Sequence, residues 1–191
     1  MSVEQALIDS LATYGDTLAV ICYHIHDIYS TQEAEERWTF YDSVIIPSVV
    51  FDGTEDVFVE FPPFEEIYRD YIDLARGVTP YFNLYISNAT ASPTTGSINL
   101  RIVTADTIPD DEIVAFVSIL EDSLPGTYGT FYHVCKSLFQ FPVTLTYPDT
   151  LDTTITFSHN ILVDKMSTVV FIQDMDTKEV MQAIIEKFEE E

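Results

Sequence analysis

The chain has 191 residues, enough for two small domains or one large one. Apolar residues make up 47% and charged residues 21%, a composition that argues against disorder. Acidic side chains number 32 against 8 basic ones; a net charge of −24 repels phosphate backbones and anionic lipid, so nucleic acid is not expected as a partner. The longest apolar runs, Leu18–Tyr23 and Ile113–Phe116, are strand-sized and fall short of the roughly 20 residues a membrane span requires. Met1–Gln5 lacks a basic n-region, and no signal peptide is visible there.

In the first half, Val3, Leu7, Ile8, Leu11 and Tyr14 recur at helical spacing, and Gly15 follows where a C-capping glycine belongs. Leu18–His24 is apolar without alternation, as in a strand covered on both faces. Ser30–Glu33 reads as a capping box. It opens a helix over Gln32–Tyr41, with Ala34, Trp38 and Tyr41 expected inside. Ile46-Pro47-Ser48 then enters an apolar strand that ends at Asp52-Gly53, a tight-hairpin signal with Asp56–Phe61 returning. Glu65–Leu74 reads as a further helix.

From its first helix onward this order resembles the thioredoxin superfamily, and Ile46-Pro47-Ser48 leading to Phe51-Asp52-Gly53 is the segment that carries the resemblance. The resemblance implies a cis Ile46–Pro47 peptide. The family's central strand and Cys-x-x-Cys motif precede that helix. Counting back from Tyr14 places the second cysteine at or just before Met1. Either an upstream motif belongs to the natural protein or the chemistry has been discarded. Thiol exchange needs an attacking thiolate and a resolving partner. Cys22 and Cys135 each sit in an apolar stretch and are read as buried hydrophobes in different domains, not as a disulfide.

After Val78-Thr79-Pro80 the period changes to two. Phe82, Leu84 and Ile86 alternate with polar neighbours, as do Ile98, Leu100 and Ile102, and later Ile155 and Phe157. Ile113–Leu120 is a more fully buried strand. Val169–Asp174 and Val180–Ile184 are expected to form a hairpin, although Lys178–Phe188 also suits a helix. The pattern predicts a two-sheet antiparallel sandwich. The fold expected is thus a truncated thioredoxin-like α/β domain over residues 1–77, missing its central strand, followed by an Ig-like β-sandwich over residues 78–191.

The whole arrangement, through Tyr23-His24 with Asp27, Phe51-Asp52-Gly53, Glu121-Asp122 with His133-Val134, and Phe171–Asp174 with Lys178–Ala183, resembles the Omp28-related bacterial secreted and outer-membrane proteins. That resemblance implies an extracytoplasmic location: periplasmic, cell-surface or secreted.

Sites of chemistry are sparse. His24 and His26 at i, i+2, with Asp27 next, would share one strand face and form a weak metal candidate lacking a third ligand. Asp106, Asp110, Asp111 and Glu112, and Asp174 with Asp176, match no calcium-loop spacing and read as solvated loops. His133 and Cys135 at i, i+2 are a remote nucleophile pair. Tyr128, Phe131, Tyr132, Phe139 and Phe141 cluster between strands and read as packing or a recognition surface. No cofactor, bound metal or catalytic residue is expected. The reading is a non-catalytic interaction or structural module with an unidentified protein partner. The alternative is a fragment of an exported thiol–disulfide oxidoreductase whose Cys-x-x-Cys lies upstream of Met1.

Overall fold

The computed structural model describes residues 13–14, 17–43, 45–57, 64–109, 112–126 and 129–191. The expected first helix, Gly15, Phe58–Phe61, Asp110, Asp111 and Tyr128 lie wholly or mainly outside them.

The protein is mostly β. Two four-stranded sheets pack face to face around one apolar core. One contains β3 (Phe82–Ala91), β4 (Thr95–Thr104), β9 (Thr150–Ser158) and the short β12 (Glu189–Glu190), in the order β12-β3-β4-β9. The other contains β5 (Ile113–Glu121), β8 (Val134–Pro142), β10 (Met166–Asp174) and β11 (Val180–Lys187), in the order β11-β10-β5-β8. Every pairing within them is antiparallel except β12 on β3. A hairpin of β6 (Leu124–Pro125) and β7 (Thr130–Phe131) lies between β5 and β8.

Period-two sequences place Phe82, Leu84, Ile98, Leu100 and Ile102 on the inner face of the first sheet. Ile113, Ala115, Val117 and Ile119 of β5 and Val170 and Ile172 of β10 face them. The segment that suited strand or helix is the strand β11, paired along β10.

β5 and β10 are buried along almost their whole length because their sheet is covered on both sides. On its outer face Val114, Phe116, Leu120, Cys135, Val169 and Phe171 form a second core. Ala19, Ile21 and Tyr23 from the start of the chain pack against it. The expected strand Leu18–His24 is therefore only an extended segment. It touches the edge of β8 through one parallel bridge, Cys22 to Val134. The Cys22 amide donates to the His133 carbonyl at 2.8 Å, and the Cys135 amide donates to the Cys22 carbonyl at 3.0 Å. The two cysteines expected in separate domains are thus neighbours along one backbone seam, and no disulfide joins them.

Helix α1 (Gln32–Phe40) follows. Its cap is Thr31 rather than Ser30: the Thr31 hydroxyl accepts from the Ala34 amide at 3.1 Å, while Ser30 donates to Glu35 at 2.7 Å. Next come a short hairpin, β1 (Val49–Phe51) with β2 (Glu55–Val57), and helix α2 (Phe64–Ala75). Val57 and Tyr68 form a satellite core with Val49, Phe51, Ile67 and Tyr71. Tyr14 donates to Asp73 of α2 at 3.0 Å. The Ile46–Pro47 peptide is cis, as is Tyr147–Pro148. Among the described residues no helix is long and apolar enough to cross a membrane.

Candidate functional site

The seam between the amino-terminal segment and the outer face of the second sheet concentrates the polar chemistry of the molecule. Helix α1 turns Ala34 and Arg37 inward and leaves Trp38 partly exposed, which corrects the expected inner face. Arg37 is 4% exposed. Its guanidinium lies 4.8 Å from the Phe116 ring, 5.6 Å from Phe171, 4.7 Å from Phe40 and 4.5 Å from Tyr41. Aromatic faces offset part of the cost of burying a cation. Arg37 Nη2 also donates to Gln173 Oε1 of β10 at 2.7 Å and to the Tyr41 hydroxyl.

Gln173 carries the network onward. Its Nε2 donates to the Lys178 carbonyl at 2.6 Å and to the Tyr41 hydroxyl at 3.1 Å. Lys178 Nζ donates to Asp42 Oδ2 at 2.8 Å, just past the end of α1. The β1–β2 turn joins here. Asp52 and Gly53 both have positive φ, as a tight hairpin turn requires. The Val180 amide donates to the Asp52 carbonyl at 2.8 Å. A Cβ on Gly53 would stand 1.8 Å from the Lys178 carbonyl oxygen, so only glycine allows this approach. One glutamine in a buried strand thus ties a helix to the β10–β11 turn, and the Val180 amide holds the β1–β2 turn beside them.

Cys135 lies fully buried beneath this seam. Burial pushes its thiol up to about 12, with the nearby Glu33 carboxylate adding to the effect. Burial also raises the Tyr23 hydroxyl above the usual phenol range. A thiol held so far above neutrality is not a nucleophile at physiological pH.

The histidines are dispersed. His26 has φ of 58°, which breaks the alternation expected of a strand. His24 Nδ1 lies 2.7 Å from Asp27 Oδ2, and its ring meets Phe131 edge-on at 4.6 Å and Tyr29 at 5.6 Å. His26 is exposed and turns instead toward Glu35, with Nδ1 at 3.3 Å from Oε1. The two imidazoles therefore engage different carboxylates. Among the described residues no three His, Cys, Asp or Glu side chains converge on a metal position. The Tyr29 hydroxyl donates to the Pro125 carbonyl at 2.7 Å, so this aromatic group clamps the segment to the β6–β7 hairpin. His133 precedes β8 at positive φ, and its amide donates to Asp122 at 2.7 Å; burial lowers its imidazole pKa. Cys135 belongs to the outer core, so the remote His133–Cys135 pair is a turn residue followed by a packing residue. Asp174 accepts from the Asp176 and Thr177 amides at 2.8 and 3.0 Å, which makes it a turn former. Ile45 and Ile46, beside the cis peptide, are exposed.

Comparison with known proteins gives a fold and no family. No family model and no curated protein matches the sequence. Among solved structures, HBP35 of Porphyromonas gingivalis is similar with a TM-score of 0.73 at 9% identity, over 86% of this chain and 62% of that one. At that identity the likeness shows a shared fold alone. The chain spans somewhat less than two thirds of HBP35. A domain of the outer membrane lipoprotein Omp28 from the same organism aligns at 14% identity over 60% of this chain and 93% of its own, with a TM-score of 0.42.

Proposed function

We propose that the chain is a non-catalytic extracytoplasmic module, a thioredoxin-like segment built onto an Ig-like sandwich, that serves interaction or structure in cell-surface or secreted assembly. The carrying observation is the Arg37–Gln173 seam. The amino-terminal segment spends its inward-facing groups on docking to the sandwich, and the thiol beneath it is sealed and kept protonated. The fold likeness to HBP35 extends over 86% of this chain, so it reaches beyond the sandwich into the amino-terminal segment, which supports reading the two as one module.

Two experiments test this. The protein produced from its natural gene, added to an insulin-reduction assay driven by dithiothreitol, is expected to leave the rate at the dithiothreitol baseline; a several-fold acceleration would instead favour the oxidoreductase-fragment reading, whose Cys-x-x-Cys lies upstream of Met1. Proteinase K treatment of intact cells producing the natural gene is expected to degrade the protein or to release it from the periplasm on osmotic shock. Full retention in the cytosol would refute the location.

A further inference from the structure

The outer face of the first sheet carries a second feature, remote from the seam. On β3, β4 and β9 the outward residues Tyr85, Arg101 and Asp152 stand directly opposite one another in one cross-strand row. Arg101 Nε donates to Asp152 Oδ1 at 2.6 Å and Nη2 to Oδ2 at 3.0 Å, a bidentate fork. In the next row Asn99 faces Thr154, whose hydroxyl donates to Asn99 Oδ1 at 2.9 Å. The register of β3 shifts between Ile86 and Asn88, which brings Ser87 beside this row. These side chains line an open hollow of about 850 Å³, within the size range of small-ligand sites.

We propose that this hollow binds a neutral oligosaccharide. The electrostatics select against ions. Arg101 and Asp152 cancel each other, and the net charge of −24 repels polyanions. What remains is a row of matched donors and acceptors. A guanidinium has five N–H groups, so the fork leaves three on Arg101, and Asp152 keeps unused lone pairs. Asn99 accepts through its oxygen, which fixes its amide N–H₂ group for donation. A hydroxyl both donates and accepts, so adjacent sugar hydroxyls suit alternating groups of this kind. Tyr85 supplies the complementary part. It is 53% exposed beside the fork, and an exposed ring on a rigid strand offers an apolar surface to the C–H face of a pyranose. An extended peptide laid across the row is the poorer occupant: the backbone groups of β4 beneath it are already paired to β3 and β9, and the edge that β9 presents lies to one side of the row.

The test is affinity electrophoresis of the full chain through native gels containing dextran, galactomannan, xyloglucan or arabinoxylan, with alginate as the polyanion. Retardation is expected in at least one neutral gel and not in alginate. Tyr85→Ala and Arg101→Gln should each weaken it tenfold or more, whereas Tyr147→Ala, which removes an equally exposed ring elsewhere, should not. Both site variants alter exposed positions, and a thermal melt confirms that each is folded; if one is not, the other decides. Unaltered mobility in all four neutral gels, retardation by alginate alone, or retardation that survives in a folded Tyr85→Ala variant would each overturn the proposal.

Discussion

The two faces of the β11-β10-β5-β8 sheet are both buried, but by different means. The inner face meets the other sheet mainly through hydrocarbon, with Phe82, Ile98, Ile102, Val117 and Ile172 almost inaccessible, although Gln182 Nε2 also donates across to the Phe82 carbonyl at 3.2 Å. The outer face is closed by a chain segment and a helix held through a buried cation, an amide and two turns. Hydrocarbon packing is tolerant of volume-conserving change, whereas a buried polar network fails when one member is lost. The difference assigns the inner face to global stability and the outer face to how the amino-terminal segment is seated.

This division is broken most severely from the inside. Phe82→Ala removes a fully buried ring from the central core and should cost about 4 kcal/mol, seen as a loss of the whole urea transition midpoint. Arg37→Ala should cost about 3 kcal/mol, through lost ring contacts and an unpaired Gln173 oxygen. Its signature should be local: amides of α1 exchange faster while those of β3 and β4 stay protected. Equal acceleration in both regions would mean the outer layer is not a separable unit. Arg37→Met, which keeps the rings covered without a charge, should recover much of the loss.

The inner face was legible in the sequence, and the outer one only in part. Strict alternation from Phe82 to Ile86 and from Ile98 to Ile102 identifies strands with one buried side. The unbroken apolar run Ile113–Leu120 shows that its strand is covered twice, but period and composition do not say by what. Leu18–Tyr23 has the same appearance and invites a sheet partner in its own half; in the structure it lies against β8, more than 100 residues away in sequence. Hydrophobicity also assigns Trp38 to the inside of α1 and overlooks Arg37, which shares a face with Ala34 and Tyr41 at i, i+3 and i+7. The available hint was Gln173, a polar residue that directly follows the apolar run Val169–Ile172, because a fully buried amide demands partners. The histidine reading failed locally: the i, i+2 rule presupposes a strand, and the positive φ of His26 ends it.

The turn that docks on the outer layer separates backbone fit from side-chain chemistry. Gly53→Ala should cost about 2 kcal/mol, because its φ of 80° is unfavourable for alanine and the new methyl group meets the Lys178 carbonyl. Reactivity gives an independent reading of the same layer. In a Cys22→Ser background, Cys135 should resist thiol reagents at pH 8 in the native protein and react fully in urea. The Gly53→Ala change should shorten that protection at least several-fold. Unchanged labelling would show that the turn is not part of the seal.

The smallest effect concerns Asp52, whose carboxyl is raised above the usual range by desolvation and by the neighbouring Glu179. For an acid with a raised folded pKa, the native state holds its proton more tightly than the unfolded chain. Stability from this group is therefore complete below the unfolded value of about 3.9 and is lost as pH rises through the folded one. Asp52→Asn removes the penalty of the charged form, and asparagine tolerates the residue's positive φ. Because the side chain is partly open to water, the gain at pH 7.5 should be only about 0.5 kcal/mol, and it should vanish near pH 3. Urea midpoints at the two pH values measure it. A loss of stability at pH 7.5 would mean that the carboxylate stabilises the turn, and that the outer layer relies on one more polar contact than Arg37 and Gln173 provide.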